Sequence, residues 1–309
     1  MKTPRSFLFS GSSLTVTAMA LAAPACSAAA VSQMQHDEAG VDGGVDSQHV
    51  PLTDGSTDDG PASDGAALDS GVPLDDAGCP TGRGPTMAKL PASDGGAYCI
   101  DTTEVTNAQY AAFVDAGSAL LGSQPSQCAS NTSFDPFDPA DAGTVYTPAF
   151  CGYDPVGRAN YPVACVTWCD AVAFCQWAGK ALCSSSPSAI WPRSDQWTYA
   201  CSSAGKYKEM YGPALVPGRC VDNTVDASQP VGSFSGCHPE DPPFDRVFDL
   251  LGNVDEWSTT CTGQGCYFVG ANYHDYPTTT DCFQDDPMLI VKPVASRFID
   301  LGFRCCSQE

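Results

Sequence analysis

Apolar and polar positions divide the chain into three stretches. Leu14 to Ala25 is a continuous apolar run of small residues behind Lys2 and Arg5. It is too short and too rich in Ala and Thr for a spanning helix, and it reads as an export signal. Val31 to Gly78 holds repeated Asp-Gly units and no aromatic, Lys or Arg. From Cys79 onward come all five Trp, and all Tyr and Phe except Phe7 and Phe9. Every core position is therefore expected there.

Within that third stretch, three segments carry helix signals. Thr106 with Gln109 forms a capping box that opens a short helix through Tyr110, Phe113 and Val114, stopped near Gly117. Thr167 with Asp170 opens a second helix, whose apolar residues Trp168, Val172, Cys175 and Trp177 precede Gly179 as a stop. Ser194 opens a third, with Trp197 and Cys201 on one side and Gly205 as its end. Strand-like runs occupy Tyr98 to Asp101, Val231 to Phe234, Tyr267 to Val269 and Gly302 to Cys306. The remainder is loop rich in Gly, Pro, Asp and Ser, and so much loop in a compact domain needs covalent staples or bound ions.

Charge changes the picture in one respect. The net charge is −22, which argues against nucleic acid as a partner, since phosphate binding needs a basic patch. Much of the acidity lies in Val31 to Gly78, which cannot bury enough apolar surface to offset its chain entropy and is expected to be disordered. The Asp-x-Asp-x-Asp-Gly loop of an EF-hand is absent. The predicted organisation is an export signal over 1–26, a linker over 27–78 and one folded domain over 79–309.

Cysteine usage supports export. Of seventeen cysteines, sixteen follow residue 78, an even set that suggests a disulfide framework in an oxidising compartment. Cys26 stands apart behind Ala23-Pro24-Ala25. Two routes are open for it. It is lipidated and becomes a membrane tether, or it leaves with a signal cut within Ser27 to Ala30.

Several segments, in fixed order, resemble one family. Tyr98 to Asn107, with Asp101, Glu104, Val105 and Thr106, is similar to its "D-x-x-E-V-T-N" opening. Tyr161-Pro162-Val163 through Trp168, Asp170, Phe174, Trp177 and Lys180 resembles its "P-V-x-x-V-S-W-x-D-A-x-x-Y-C-x-W-A-G-K" helix. Trp191 to Ala200 resembles "L-P-T-E-A-E-W-E-Y-A". Asp249 to Trp257, with Gly252 and Asn253, resembles "Y-D-M-x-G-N-V-W-E-W", and Leu301 to Cys305 matches the family's closing segment. The family is that of the formylglycine-generating enzymes, or sulfatase-modifying factors.

The resemblance implies an α+β, C-type-lectin-like fold with little regular structure, held by disulfides and structural Ca²⁺. It implies the bridges Cys175–Cys305, with Cys306 as the near alternative, and Cys201–Cys282. Proximity suggests Cys79–Cys99, Cys128–Cys151, Cys165–Cys183, Cys220–Cys237 and Cys261–Cys266, leaving Cys169 for one of the adjacent pair Cys305 and Cys306. It implies calcium at the Asp249 and Glu256 side chains and the Gly252 and Val254 carbonyls, a mixture of oxygen donors that suits this ion. A second calcium site would use Asp222 and Asn223, although Pro213 stands where the family has an Asn ligand.

The family oxidises a cysteine in a Cys-x-Pro-x-Arg motif to formylglycine with two active-site thiols that hold Cu(I), a soft ion suited to thiolates. Here the first position falls on Asp275 and the second near Thr280, so no catalytic residue is assigned and copper is not expected. Asn272 stands where the family has Ser, and Val269 replaces an Arg. Cys261 and Cys266 have the right internal spacing but precede the strand, which favours a hairpin disulfide. His274 and the Asp281 to Asp286 acids lack a metal-ligand spacing, with only four His in the chain. The expectation is a diverged, non-catalytic binding or envelope-complex module. It would be exported to a bacterial-type cell envelope, with a protein or glycan ligand on loops 207–245 and 270–300. The alternative is an active oxidoreductase making formylglycine.

Overall fold

Local capping chemistry sets both of the longer helices. Thr106 N–H donates to Gln109 Oε1 at 2.9 Å and Gln109 N–H to Thr106 Oγ1 at 3.4 Å, which opens α1, Asn107–Ala116. Thr167 and Asp170 repeat the device at 2.8 and 3.1 Å and open α2, Trp168–Trp177. Gly179, at φ 72°, ends that segment in the left-handed region that favours glycine. The short α3, Gln196–Cys201, is capped by Asp195, whose side chain accepts from Thr198 N–H. Asp195, not Ser194, is thus the cap: its carboxylate reaches the third helical N–H.

The computed structural model describes residues 73–136, 150–185, 195–276, 281–283 and 291–308. The export signal, Cys26, Thr280 and most of the linker lie outside these residues. Strand β1 is Met87–Pro91, β2 Ala97–Asp101, β3 Ala181–Leu182, β4 Asp255–Thr262, β5 Gly265–Val269, β6 Val291–Lys292, β7 Leu301–Phe303 and β8 Cys305–Gln308. They form two four-stranded sheets, ordered β1-β2-β8-β3 and β6-β5-β4-β7. Among the described strands only the β4–β7 contact is parallel. The result is α+β with a high share of irregular chain. Among the described residues no helix is long and apolar enough to cross a membrane.

Val231 to Phe234 is not a strand. Gly232 turns there with φ 67°, and its N–H binds the Asp249 carboxylate rather than a neighbouring strand. The Gly302–Cys306 run divides at Arg304, with β7 in one sheet and β8 in the other. The chain from Pro73 already follows the domain: Leu74 bridges to Pro80, and Asp75 Oδ1 accepts from Ala77 and Cys79 N–H.

Two clusters fill the interior. One gathers Leu90, Tyr98, Ile100, Trp197, Met210, Leu250 and Val269. The other gathers Tyr110, Phe113, Phe174, Trp257 and Phe303 under α1 and α2. In the second cluster Phe174 has ring centroids 5.9, 5.5 and 5.3 Å from Tyr110, Phe113 and Phe303, within the range of favourable aromatic pairing.

Eight disulfides join all sixteen cysteines from Cys79 onward. Cys175–Cys305, Cys201–Cys282, Cys79–Cys99, Cys220–Cys237 and Cys261–Cys266 are present. Three expectations are corrected. Cys128 pairs with Cys169 rather than Cys151, because the turn at Cys128 packs on the first turn of α2. Cys151 takes Cys165. Cys183 takes Cys306 rather than Cys165, because β3 lies beside β8 and brings residues 123 apart in sequence together.

Candidate functional site

Strand β5 ends at Val269, and the chain turns through Gly270, at φ 103°. Asn272 then organises the turn beyond it. Its N–H donates to Asp275 Oδ2 at 2.9 Å and its Nδ2 to Asp255 Oδ2 at 2.8 Å. Its Oδ1 accepts from His274 N–H. His274 Nδ1 lies 3.3 Å from Asp300 Oδ2, and Asp255 N–H donates to the Asp300 carbonyl. Asp255, Asp275 and the His274–Asp300 pair are thus linked one to the next through Asn272 and the backbone. Burial, reinforced by Asp275 and Asp300, pushes the Asp255 carboxyl well above its ordinary range. Burial, with Asp300, also raises Asp275.

Among the described residues every cysteine is closed in a disulfide. Cys282 is closed onto Cys201, and Cys261 onto Cys266. Carboxylates and imidazole bind hard cations and hydrogen-bond donors and exchange protons. They do not replace a thiolate as a one-electron or Cu(I) ligand.

A second cluster lies behind the loop that enters β4. Arg304 is fully buried at the crossing between the sheets. Its Nε lies 2.8 Å from each Glu256 carboxylate oxygen, and its Nη2 2.7 Å from Oε1. The Trp197 indole N–H donates to Glu256 Oε2 at 2.9 Å. Arg304 also donates to the Asp101 and Phe248 carbonyls. Asp249, at φ 57°, accepts from Gly232 N–H. Asn253 Nδ2 donates to Glu104 Oε1 at 3.0 Å. Burial, with a contribution from Glu256, lifts Asp249 to about 6. Burial and the neighbouring Asp249 push Glu104 well above the carboxylate range.

The chemistry of this donor set fits a hard cation. Glu104, Asp249 and Glu256 are 0, 1 and 0 % exposed and face one guanidinium. Glu104 Oε2 is buried and receives no hydrogen bond among the described residues. Excess buried negative charge of this kind is costly unless compensated. Among the described residues no three of His, Cys, Asp and Glu converge on one point as a metal cage. An ion here would therefore combine two carboxylates with backbone oxygens. The pair Asp222 and Asn223 is different. Asp222 Oδ1 accepts from Thr224 N–H and Oγ1, and Oδ2 from Gly218 N–H, so its oxygens already hold the turn together.

Sequence reasoning named Asp249, Glu256 and Asp275 but gave no role to Asp255, Asp300 or Glu104. Asp255 carried a local signal, because it stands where the family motif has Trp. Asp300 and Glu104 enter only through tertiary contact.

A family profile, the sulfatase-modifying factor enzyme 1-like domain, matches residues 93–308. A formylglycine-generating enzyme of Mycobacterium tuberculosis is 26% identical over 256 residues, covering 69% of this chain and 78% of that protein. An inactive C-alpha-formylglycine-generating enzyme 2 of Bos taurus is 31% identical over 114 residues, covering 33% of this chain and 34% of that protein. Among solved structures, PvdO from Pseudomonas aeruginosa is 16% identical, with TM-score 0.46 and coverage of 73% of this chain and 95% of that one. The profile spans more than half of the chain, and with it the chain belongs to the sulfatase-modifying factor, or formylglycine-generating enzyme, family.

Proposed function

We infer that this chain is an exported, non-catalytic member of the family that acts as a binding or envelope-complex module. One observation carries the reading: all sixteen cysteines from Cys79 onward are closed in disulfides, and in this reading Asp275 takes the first catalytic position of the family motif. A thiolate mechanism has no nucleophile there. The relatives include proteins named as inactive, so loss of catalysis with retention of the scaffold has precedent within the family.

The ligand in this reading is a protein or a glycan that meets the loops over 207–245 and 270–276. Tyr276 and Val216 are exposed apolar contacts there, and Asp275, His274 and Asp300 supply polar ones. Eight disulfides agree with an oxidising compartment. A lipidated Cys26 in a bacterial-type envelope would tether the module to a membrane. Structural calcium belongs to the same reading, with the Asp249 and Glu256 side chains and the Gly252 and Val254 carbonyls of the entering loop as oxygen donors.

The test is direct. A Cys-x-Pro-x-Arg peptide is incubated with the protein, Cu(I) and O₂, and the aldehyde is sought by mass spectrometry. No product is expected. Turnover that disappears when Cys261, Cys266 or Cys282 is replaced would establish the oxidoreductase reading instead.

A further inference from the structure

The eight disulfides differ in what a dissolved thiol can reach. Fifteen of the sixteen bridged cysteines are buried, none more than 8 % exposed. Cys261 is the exception: it is only partly buried, and its sulfur meets the Gln127 amide at 3.9 Å and the Thr259 carbonyl at 3.8 Å on the surface. Its bridge to Cys266 also closes the shortest loop, with a sequence separation of 5 against 14 to 130 for the other seven. So short a loop removes the least entropy from the unfolded chain, and the fold owes least to this bridge.

Both cysteines stand at the tip of the β4–β5 hairpin, where they are register partners. The register shifts between Trp257 and Cys261, which separates the tip from the base. At the base Glu256 pairs with Val269 and Trp257 with Phe268, and β4 also meets β7. Opening the bridge therefore leaves the base of the hairpin held. On its other side Cys266 is the register partner of Lys292 on β6. Opposed residues share a face of the sheet, so this cation stands on the face that carries both sulfurs, 6.0 Å from the Phe268 ring centre. A neighbouring cation favours thiolate over thiol.

We propose that Cys261–Cys266 is a thiol–disulfide exchange site of the folded protein, open to an external dithiol that the other seven bridges exclude. The attacking thiolate bonds to Cys261 Sγ, the S–S bond breaks, and Cys266 leaves as a thiolate on the face of Lys292. The second thiol of the dithiol then attacks the mixed disulfide and releases Cys261. Two electrons pass from the dithiol to the pair, the dithiol closes into a disulfide, and its two protons end on Cys261 and Cys266. The exchange needs neither copper nor oxygen and uses no residue of the turn beyond β5.

The experiment uses the full chain in native buffer, with any free thiol first blocked by N-ethylmaleimide. Dithiothreitol is added at low concentration, samples are quenched with iodoacetamide over time, and labelled cysteines are located by peptide mass spectrometry. Cys261 and Cys266 should be labelled together, roughly tenfold or more faster than any other pair, because access governs the rate of exchange. Tryptophan fluorescence should stay native meanwhile. Excess glutathione followed by iodoacetamide should leave glutathione on Cys261 and the alkyl label on Cys266. Lys292→Gln should slow reduction roughly threefold at neutral pH, because a leaving thiol of higher pKa departs more slowly. Another pair labelled first, or several labelled together, overturns the proposal. So does a loss of native fluorescence in step with labelling, since the bridge would then be holding the domain. Glutathione on Cys266 overturns the direction of attack, and an unchanged rate in Lys292→Gln overturns the part given to the lysine.

Discussion

Arg304 Nε lies 2.8 Å from both carboxylate oxygens of Glu256, and the pair sits where the chain leaves one sheet and enters the other. β7 pairs with β4 on one side of this residue, and β8 with β2 and β3 on the other. Removing either partner strands a buried charge. Glu256→Gln or Arg304→Met is therefore expected to destabilise the domain by about 3–5 kcal/mol. Arg304→Lys should rescue little, because an ammonium cannot reproduce the fork on Glu256 and the Asp101 and Phe248 carbonyls together. Urea unfolding monitored by tryptophan fluorescence measures this, and a loss below about 1 kcal/mol in all three variants would contradict it.

The Asp101–Lys180 pair gives a pH-dependent prediction. The two charges are 2.6 Å apart with no exposed side-chain surface. Burial outweighs Lys180 and lifts the Asp101 carboxyl to about 6. The folded state thus holds this proton more tightly than the unfolded chain, whose Asp titrates near about 3.9. The stability contributed by this group is greatest at low pH and declines as pH rises through about 6. Asp101→Leu with Lys180→Met should remove that slope and stay close to wild type at neutral pH. Asp101→Leu alone should cost about 3–5 kcal/mol by orphaning Lys180. Urea midpoints on both sides of pH 6 decide the matter; a double variant as unstable as the single one would count against it.

Thiol counting tests the covalent framework. Denatured but unreduced protein lacking Cys26 should show no free thiol, and sixteen after reduction. Removing the Cys183–Cys306 bridge, which spans 123 residues, is expected to cost about 2–5 kcal/mol. Detection of two free thiols in the unreduced protein would contradict the pairing.

The α2 cap is a smaller and cleaner test. Thr167→Ala removes the acceptor of the Asp170 N–H bond at 3.1 Å and should cost about 1 kcal/mol. Helix propensity alone would predict the opposite sign, so a stabilised variant in urea unfolding would show that the cap contributes nothing.

What was legible in the sequence was local. Thr106 with Gln109 and Thr167 with Asp170 announce their helices because cap and acceptor lie three residues apart. β3 and β6, two residues each, are too short to carry a period. Cys183 and Cys306 could not be matched because only the β3–β8 pairing brings them together. The same holds for the site. Asp275 was found from its place after a strand, whereas Asp300 reaches His274, and Glu104 reaches Asn253, only once both sheets are closed.

The crossing at Arg304 also governs when folding can finish. Residues 301–308 supply a strand to each sheet and the partners of Cys175 and Cys183. A chain threading through an export pore from its N-terminus would deliver two hundred earlier domain residues before these arrive. Until then neither sheet is complete, and the thiols of α2 and β3 stay open to wrong partners. In a chain exported in that direction, completion of both sheets and of the Cys175 and Cys183 bridges would wait for the closing segment.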